Sequence, residues 1–197
     1  MPNSILYKEN GRMFRELEYE DIFSIKKWRN AQLHVLRQMR PLTDNDQEKW
    51  FKHVTSSDNQ AIFSILEEID VKNHRLIGYC GLVYIDFHNK RAELSFLVDP
   101  SRVNNQAIYE QDFKTALSFL CSFGFERLKL RRIFTETFDF RTFHLSILES
   151  FGFQREGIFR KHQFTNGGFH DSIIHSILIE EWNEKLAKNR ESNDFKK

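Results

Sequence analysis

One stretch constrains the fold more than any other. Residues 91–98 read as a β-strand, Pro100 stops it, a polar turn Ser101-Arg102-Val103-Asn104-Asn105 follows, and residues 106–123 read as the chain's longest helix. In that helix Ala107, Phe113, Ala116, Leu117 and Leu120 mark one apolar stripe, the spacing of a helix that buries one face. Residues 132–138 then return to strand, alternating Ile133/Thr135/Thr137 with Phe134/Glu136/Phe138. A strand–helix–strand crossover of this kind, with further strands in a run before it, implies a mixed sheet flanked by helices.

The remaining elements fit that frame. Residues 12–18 are expected to form a first strand. Asp21 is placed to cap a helix to about Asn30, with Ile22, Ile25 and Trp28 on its apolar side. Thr43 or Asp44 starts a second helix. Residues 61–69 and 75–87 read as strands, and His88-Asn89-Lys90 as a tight turn. A short helix at 141–150 stops before Gly152. Two closing strands, 153–164 and 169–179, flank Asn166-Gly167-Gly168, a hairpin signal. The expected fold class is therefore α/β, a mostly antiparallel mixed sheet of about seven strands with helices on both faces. A single domain over 1–187 is expected, with a charged tail at 188–197 that frays in solvent.

Composition excludes several classes of function. Lys plus Arg is 29 and Asp plus Glu is 28, so the net charge is +1, which gives no electrostatic case for a nucleic-acid partner. Cys80 and Cys121 lack metal-ligand spacing and are too few for a disulfide scaffold, so both are expected as reduced thiols, with no metal bound. No apolar run is long enough to span a membrane, and residues 1–12 lack a signal-peptide core. A cytoplasmic location is expected. The twenty phenylalanines predict a core rich in aromatic packing.

The turn after Pro100 is also the place where chemistry enters. A helix reached through such a turn presents free backbone N–H groups and the positive end of its dipole, a seat for a pyrophosphate. The run Arg102-Val103-Asn104-Asn105-Gln106-Ala107 resembles the acyl-CoA pyrophosphate loop of the GNAT superfamily, [QR]-x-x-G-x-[GA], with Arg102 and Ala107 matching and Asn105 in place of glycine. Asn takes φ > 0 more readily than most residues, so the loop is expected to close with some strain. Arg91-Ala-Glu-Leu-Ser-Phe-Leu-Val-Asp-Pro100 resembles the strand that precedes this loop in the family. Leu148-Glu-Ser-Phe-Gly-Phe-Gln-Arg-Glu-Gly157 resembles its closing phrase. Phe164-Thr-Asn-Gly-Gly-Phe-His-Asp171, with Glu181-Trp182 beyond, is similar to the end of the RimJ/RimL-like branch. The resemblance covers roughly residues 12–183.

The resemblance implies an acyl-CoA-dependent N-acetyltransferase with acetyl-CoA as co-substrate. It implies a cofactor site of Leu97, Val98, Arg102, Val103, Asn104, Asn105, Gln106, Ala107 and Arg141. It places Glu93 beside the thioester as the candidate general base, and backbone N–H groups near Leu97 and Val98 as the device that polarises the carbonyl. His144, one helical turn before Leu148, is the candidate acid for the leaving thiolate. Two further positions depart from the family: Arg141 stands where an Asn usually meets the CoA arm, and Leu148 where many members carry a Tyr.

The acceptor side falls on the first helices. Trp28-Arg29-Asn30, followed by Pro41-Leu-Thr43 and Glu48-Lys-Trp-Phe51, is similar to enzymes that acetylate amines on nucleotide-linked sugars. Trp28 suits a ring, Arg29 a phosphate or carboxylate, and Asn30 a hydroxyl; Trp28 also lies on the apolar stripe, where it would be core. Tyr84, near the tip at residues 85–89, joins the acceptor group. Three readings follow: a small-amine acetyltransferase with an amino sugar as leading acceptor, a protein N-terminal acetyltransferase, or an acyl-CoA sensor without turnover. The first needs a small-molecule amine and acetyl-CoA as partners, and a homodimer is allowed.

Overall fold

The computed structural model describes residues 4–71 and 73–194. Eight strands form one sheet: β1 (Tyr7–Glu9), β2 (Arg12–Glu16), β3 (Ala61–Glu68), β4 (His74–Asp86), β5 (Arg91–Val98), β6 (Arg132–Phe138), β7 (Gln154–Thr165) and β8 (Gly168–Leu178), in the order β1-β2-β3-β4-β5-β6-β8-β7. The helices are α1 (Asp21–Ala31), α2 (Asp44–Ser56), α3 (Pro100–Val103), α4 (Gln106–Ser122), α5 (Thr142–Phe151) and α6 (Ile179–Asp194). The sheet is mixed: β5 and β6 run parallel, while β1–β2, β2–β3, β3–β4, β6–β8 and β7–β8 are antiparallel. The expected α/β class holds, with β1 as the added strand.

The chain divides into two compact units, residues 1–85 with 94–120, and residues 86–93 with 121–197. In the first, Leu17, Ile25, Trp28, Val54, Ile62, Tyr79 and Leu97 form a buried cluster. Phe119 stacks on Phe14 with centroids 4.6 Å apart and meets Phe63 edge-on at 4.8 Å. In the second, Trp182 of α6 stacks on Phe151 at 6.2 Å and lies 6.5 Å from Phe125. Cys80 and Cys121 are free thiols, both fully buried, and burial pushes their pKa up.

Local chemistry sets the turns. Asn166 (φ 51°) and Gly167 (φ 78°) make the two-residue β7–β8 hairpin loop, in which both central residues need positive φ. Asn10 (φ 51°) and Gly11 (φ 71°) do the same between β1 and β2. Thr43 caps α2 through a box in which Asp46 N–H donates to Thr43 Oγ1 at 3.2 Å and Thr43 N–H donates to Asp46 at 2.9 Å. At the end of α5, Gly152 (φ 118°) and Phe153 donate back to the Leu148 carbonyl at 3.2 and 3.0 Å, the Schellman pattern that explains the Gly-Phe phrase.

Four local expectations change. Asp21 does not cap α1: it lies in the first turn, where its carboxylate takes Arg15 at 2.6 and 2.9 Å, the Glu18 N–H at 3.0 Å and the Ser64 hydroxyl at 2.5 Å. The long helix does not stop at residue 123, because residues Phe123–Arg127 continue it as one π turn, closed by Leu128 N–H on the Phe123 carbonyl at 3.1 Å. Pro100 opens α3 as well as ending β5, with Asp99 as its cap. The chain after β8 is helical through Asp194, while residues 195–197 lie outside the described residues.

Candidate active site

The pyrophosphate turn is built in the first unit. Asp99 accepts the Ser101 N–H at 2.9 Å and the Ser101 hydroxyl at 2.7 Å, which starts α3. Asn105 then begins α4. Its side-chain oxygen accepts the Ile108 N–H at 3.2 Å, and its carbonyl accepts Tyr109 N–H at 2.9 Å. Asn105 is absent from the residues with positive φ, so the strain expected of a missing glycine does not arise. The position is an N-cap, a role asparagine fills well. Gln106 and Ala107 are exposed and form the first turn of α4, whose N–H groups no carbonyl of the same helix can reach. Val103 and Asn104 are exposed on the same turn.

Arg102 is not exposed. It is 6% accessible, and its guanidinium lies among carboxylates: Nε on Asp112 at 2.5 Å, Nη2 on Asp112 at 2.9 Å, and Nη2 on Glu67 at 3.0 Å. Arg12 joins from β2, its Nε 2.7 Å from Asp112. Burial pulls the Arg102 pKa down, but Asp112 and Glu67 outweigh it, and the guanidinium sits above its ordinary value. Burial likewise pushes Glu67 up, and Arg102 and Arg75 more than offset it, leaving that carboxyl below its usual range.

The end of β5 is held closely. Leu97 and Val98 are buried. A side chain on Gly78 of β4 would overlap the Leu97 carbonyl oxygen, so only glycine allows the two backbones this approach. Gln32, just past α1, donates to the Val98 carbonyl at 2.8 Å, and Asp99 N–H donates to Ile77 at 2.8 Å. Sequence reasoning missed Gln32, Glu67, Asp112 and Gly78 as shapers of this region. Only Gly78 carried a signal, since a lone glycine inside a strand pattern marks a bulge or a close backbone approach.

The acceptor candidates separate. Trp28 is 7% accessible and belongs to the buried cluster, the core position its spacing allowed. Asn30 pins the loop before α2: its amide donates to the Leu42 carbonyl at 2.9 Å, and its oxygen accepts Leu42 N–H at 2.7 Å and Gln38 at 3.2 Å. Arg29 differs from both. Its guanidinium lies over the Trp50 ring, 5.9 Å from the centroid, and its Nε is buried without a hydrogen-bond partner. Tyr84 is 66% exposed and sits at φ 51° inside β4, a conformation that a tyrosine adopts only where its surroundings impose it.

In the second unit, Glu93 is 5% accessible and occupies the last pair of the β5–β6 ladder, opposite Phe134. His144 on α5 is buried, with Arg141 Nη2 3.4 Å from its Nδ1. Burial first, then the charges of Arg141 and His175, hold the His144 pKa well below its ordinary value. That direction favours the neutral imidazole, a hydrogen-bond partner or weak base. Leu148 is fully buried in α5. Among the described residues no group of three or more His, Cys, Asp or Glu is arranged to hold a metal, and no helix is long and apolar enough to cross a membrane.

Comparison with known proteins identifies the family. Residues 14–174 match the model of the acetyltransferase (GNAT) domain. The N-acetyltransferase p20 of Bacillus licheniformis is 28% identical over 90% of this chain and 97% of its own length. The N-acetyltransferase YoaA of Bacillus subtilis is 30% identical over 57% of this chain and 60% of its own. Among solved structures, the spermidine N-acetyltransferase of Vibrio cholerae in complex with CoA and spermine superposes with a TM-score of 0.78 at 18% identity, covering 88% of this chain and 99% of that one. A dodecameric form of the same Vibrio enzyme gives 0.74 at 20% identity, covering 88% and 97%. The chain belongs to the GNAT acetyltransferase family and is an acyl-CoA-dependent N-acetyltransferase.

Proposed function

We propose that this protein transfers the acetyl group of acetyl-CoA to a small primary amine that carries an anionic group. The observation that carries the cofactor half is the exposed first turn of α4, where Gln106 and Ala107 offer backbone N–H groups after β5, the short α3 and the Asn105 cap. The acceptor half rests on Arg29, a cation with an unpartnered buried Nε beside an aromatic ring. Tyr84, exposed and at positive φ, is assigned to the acceptor side in this reading. An anionic group would supply the acceptor that Arg29 lacks. With Trp28 in the core and Asn30 engaged internally, specific recognition of a sugar ring loses its support, and the anion remains.

In this reading the incoming ammonium passes a proton to Glu93, directly or through water. The free amine attacks the thioester carbonyl, whose oxygen is polarised by backbone N–H groups near Leu97 and Val98. The attacking nitrogen gives up its extra proton as the carbon–sulfur bond breaks, and the CoA thiolate takes up that proton, directly or through water, leaving the amide and the free thiol.

A second reading has one observation in its favour. The Vibrio cholerae relatives are named for spermidine, a polyamine. A polyamine is wholly cationic, and Arg29 would repel it. The deciding experiment measures CoA thiol release with a panel of amino-sugar phosphates, amino acids, polyamines and N-terminal peptides. Preference for anionic amines supports the proposal, and preference for spermidine supports the second reading. Binding of acetyl-CoA with no thiol release from any acceptor would favour a sensor. Ala107→Asp sets a like charge against the phosphates and should abolish CoA binding by calorimetry; unchanged affinity would overturn the seat at α4. A multimer is part of the proposal, on the strength of the dodecameric relative, and light scattering checks it.

A further inference from the structure

Asp112 is a carboxylate in an unusual position. It lies on α4, is fully buried, and its two oxygens hold two arginines: Oδ1 takes Arg12 at 2.7 Å and Arg102 at 2.9 Å, and Oδ2 takes Arg102 at 2.5 Å. Glu67 of β3 completes the set, 3.0 Å from Arg102 and 3.9 Å from Arg12. Two buried arginines therefore face two carboxylates, so the charge of Arg102 is neutralised within the protein. Arg102 stands in the turn that leads into α4, and Asp112 is ten positions on, in the second turn of α4. The pair ties the turn to the body of the helix it introduces.

We infer that Asp112 is a positioning residue for acyl-CoA: through Arg102 it fixes the turn before α4 against the helix, and so sets the direction of the first-turn N–H groups at Gln106 and Ala107. This rests on the reading that the pyrophosphate sits on that turn. Arg102, the residue that marks the loop in the sequence, then serves as an anchor, and the backbone alone meets the phosphates. A buried bidentate carboxylate–guanidinium pair suits this role, because its planar geometry fixes an angle as well as a distance.

The test has an outcome whose sign separates the two roles of Arg102. Asp112→Asn removes the charge that neutralises Arg102. If Arg102 were itself a phosphate ligand, the released guanidinium would tighten CoA binding. If Asp112 positions the turn, the Kd for CoA rises roughly tenfold or more, while kcat at saturating acetyl-CoA stays within about threefold, as expected for loss of uniform cofactor binding. Should Asp112→Asn fail to fold, Glu67→Gln loosens Arg102 from the other side and is expected to raise Kd by a smaller factor. A tightened Kd, or a lowered melting temperature with an unchanged Kd in the folded variants, overturns the inference. Loss of CoA binding by the wild-type chain would overturn the reading of the turn and this inference with it. Binding by the wild type alongside unchanged variants overturns the inference alone.

Discussion

Asn105 accepts the backbone N–H of Ile108 on its side-chain oxygen at 3.2 Å, and in doing so starts α4 from a residue whose φ is not positive. The family pattern has glycine here, but nothing in this backbone requires one. Asn105→Ala is expected to lower stability by about 1 kcal/mol through loss of the cap, and Asn105→Gly by only a few tenths. Denaturant titration of the three proteins checks the order; a glycine variant more stable than the wild type would show that the asparagine is strained after all.

Glu93 is the proposed base. Glu93→Gln keeps the shape of the side chain and removes the proton acceptor. General-base contributions are typically ~100–10,000-fold. Turnover should fall by roughly tenfold to a thousandfold, since water can replace part of the effect, and CoA affinity should stay nearly intact. Steady-state rates with calorimetry decide it. A rate within twofold of wild type places the base elsewhere.

Arg29 stands over Trp50 with an unpartnered Nε. Arg29→Ala is expected to raise the acceptor KM strongly for anionic amines, with little change in kcat and a small change in melting temperature. An exposed ion pair in its place would be worth only about 0–1 kcal/mol and would leave KM alone. Equal KM values for wild type and variant across every anionic amine tested would remove Arg29 from the acceptor site.

Two pH windows follow from the shifted groups. The folded-state pKa of His144 is held well below the ordinary 6.5, so the unfolded chain binds a proton there that the folded chain refuses. Its stabilising contribution is full above 6.5 and is lost as pH falls below that value. Glu67 and Glu156 are held below the usual 4.5 despite partial burial, Glu67 by Arg102 and Arg75 and Glu156 by Arg132 and Ser176. Their contribution is full above 4.5 and is lost as pH falls through the lower folded values. Melting temperature should therefore begin to decline below 6.5 and decline more steeply below 4.5. In His144→Gln the decline between 6.5 and 4.5 should vanish while that below 4.5 stays; a curve of unchanged shape would show that His144 is not the group responsible.

Much of the architecture was legible in local chemistry. The alternation of 132–138, the stripe of 106–123, the Asn-Gly turn at 166–167 and the cap at Thr43 are decided by residues within one or two turns of each other. Such patterns state their own structure. The strand β1 was missed, although Asn10-Gly11 forms the same kind of hairpin turn as Asn166-Gly167. The exposed first turn of α4 also followed from sequence, because unsatisfied N–H groups are a property of any helix start.

Only the tertiary structure decided what each polar side chain does. Arg102 looks in sequence like a phosphate ligand, and Asp112 like a polar interruption of an apolar stripe. Their partners are Arg12, a hundred positions from Asp112, and Glu67, thirty-five from Arg102. Trp28 reads equally as ring platform or core until Leu17, Val54, Ile62 and Tyr79 close around it. Asn30 reads as a sugar ligand until Leu42 takes both ends of its amide. Backbone periodicity is a local property, written into neighbouring residues. The engagement of a charge or an amide depends on which distant group the fold brings within hydrogen-bond range, and no spacing along the chain records that distance.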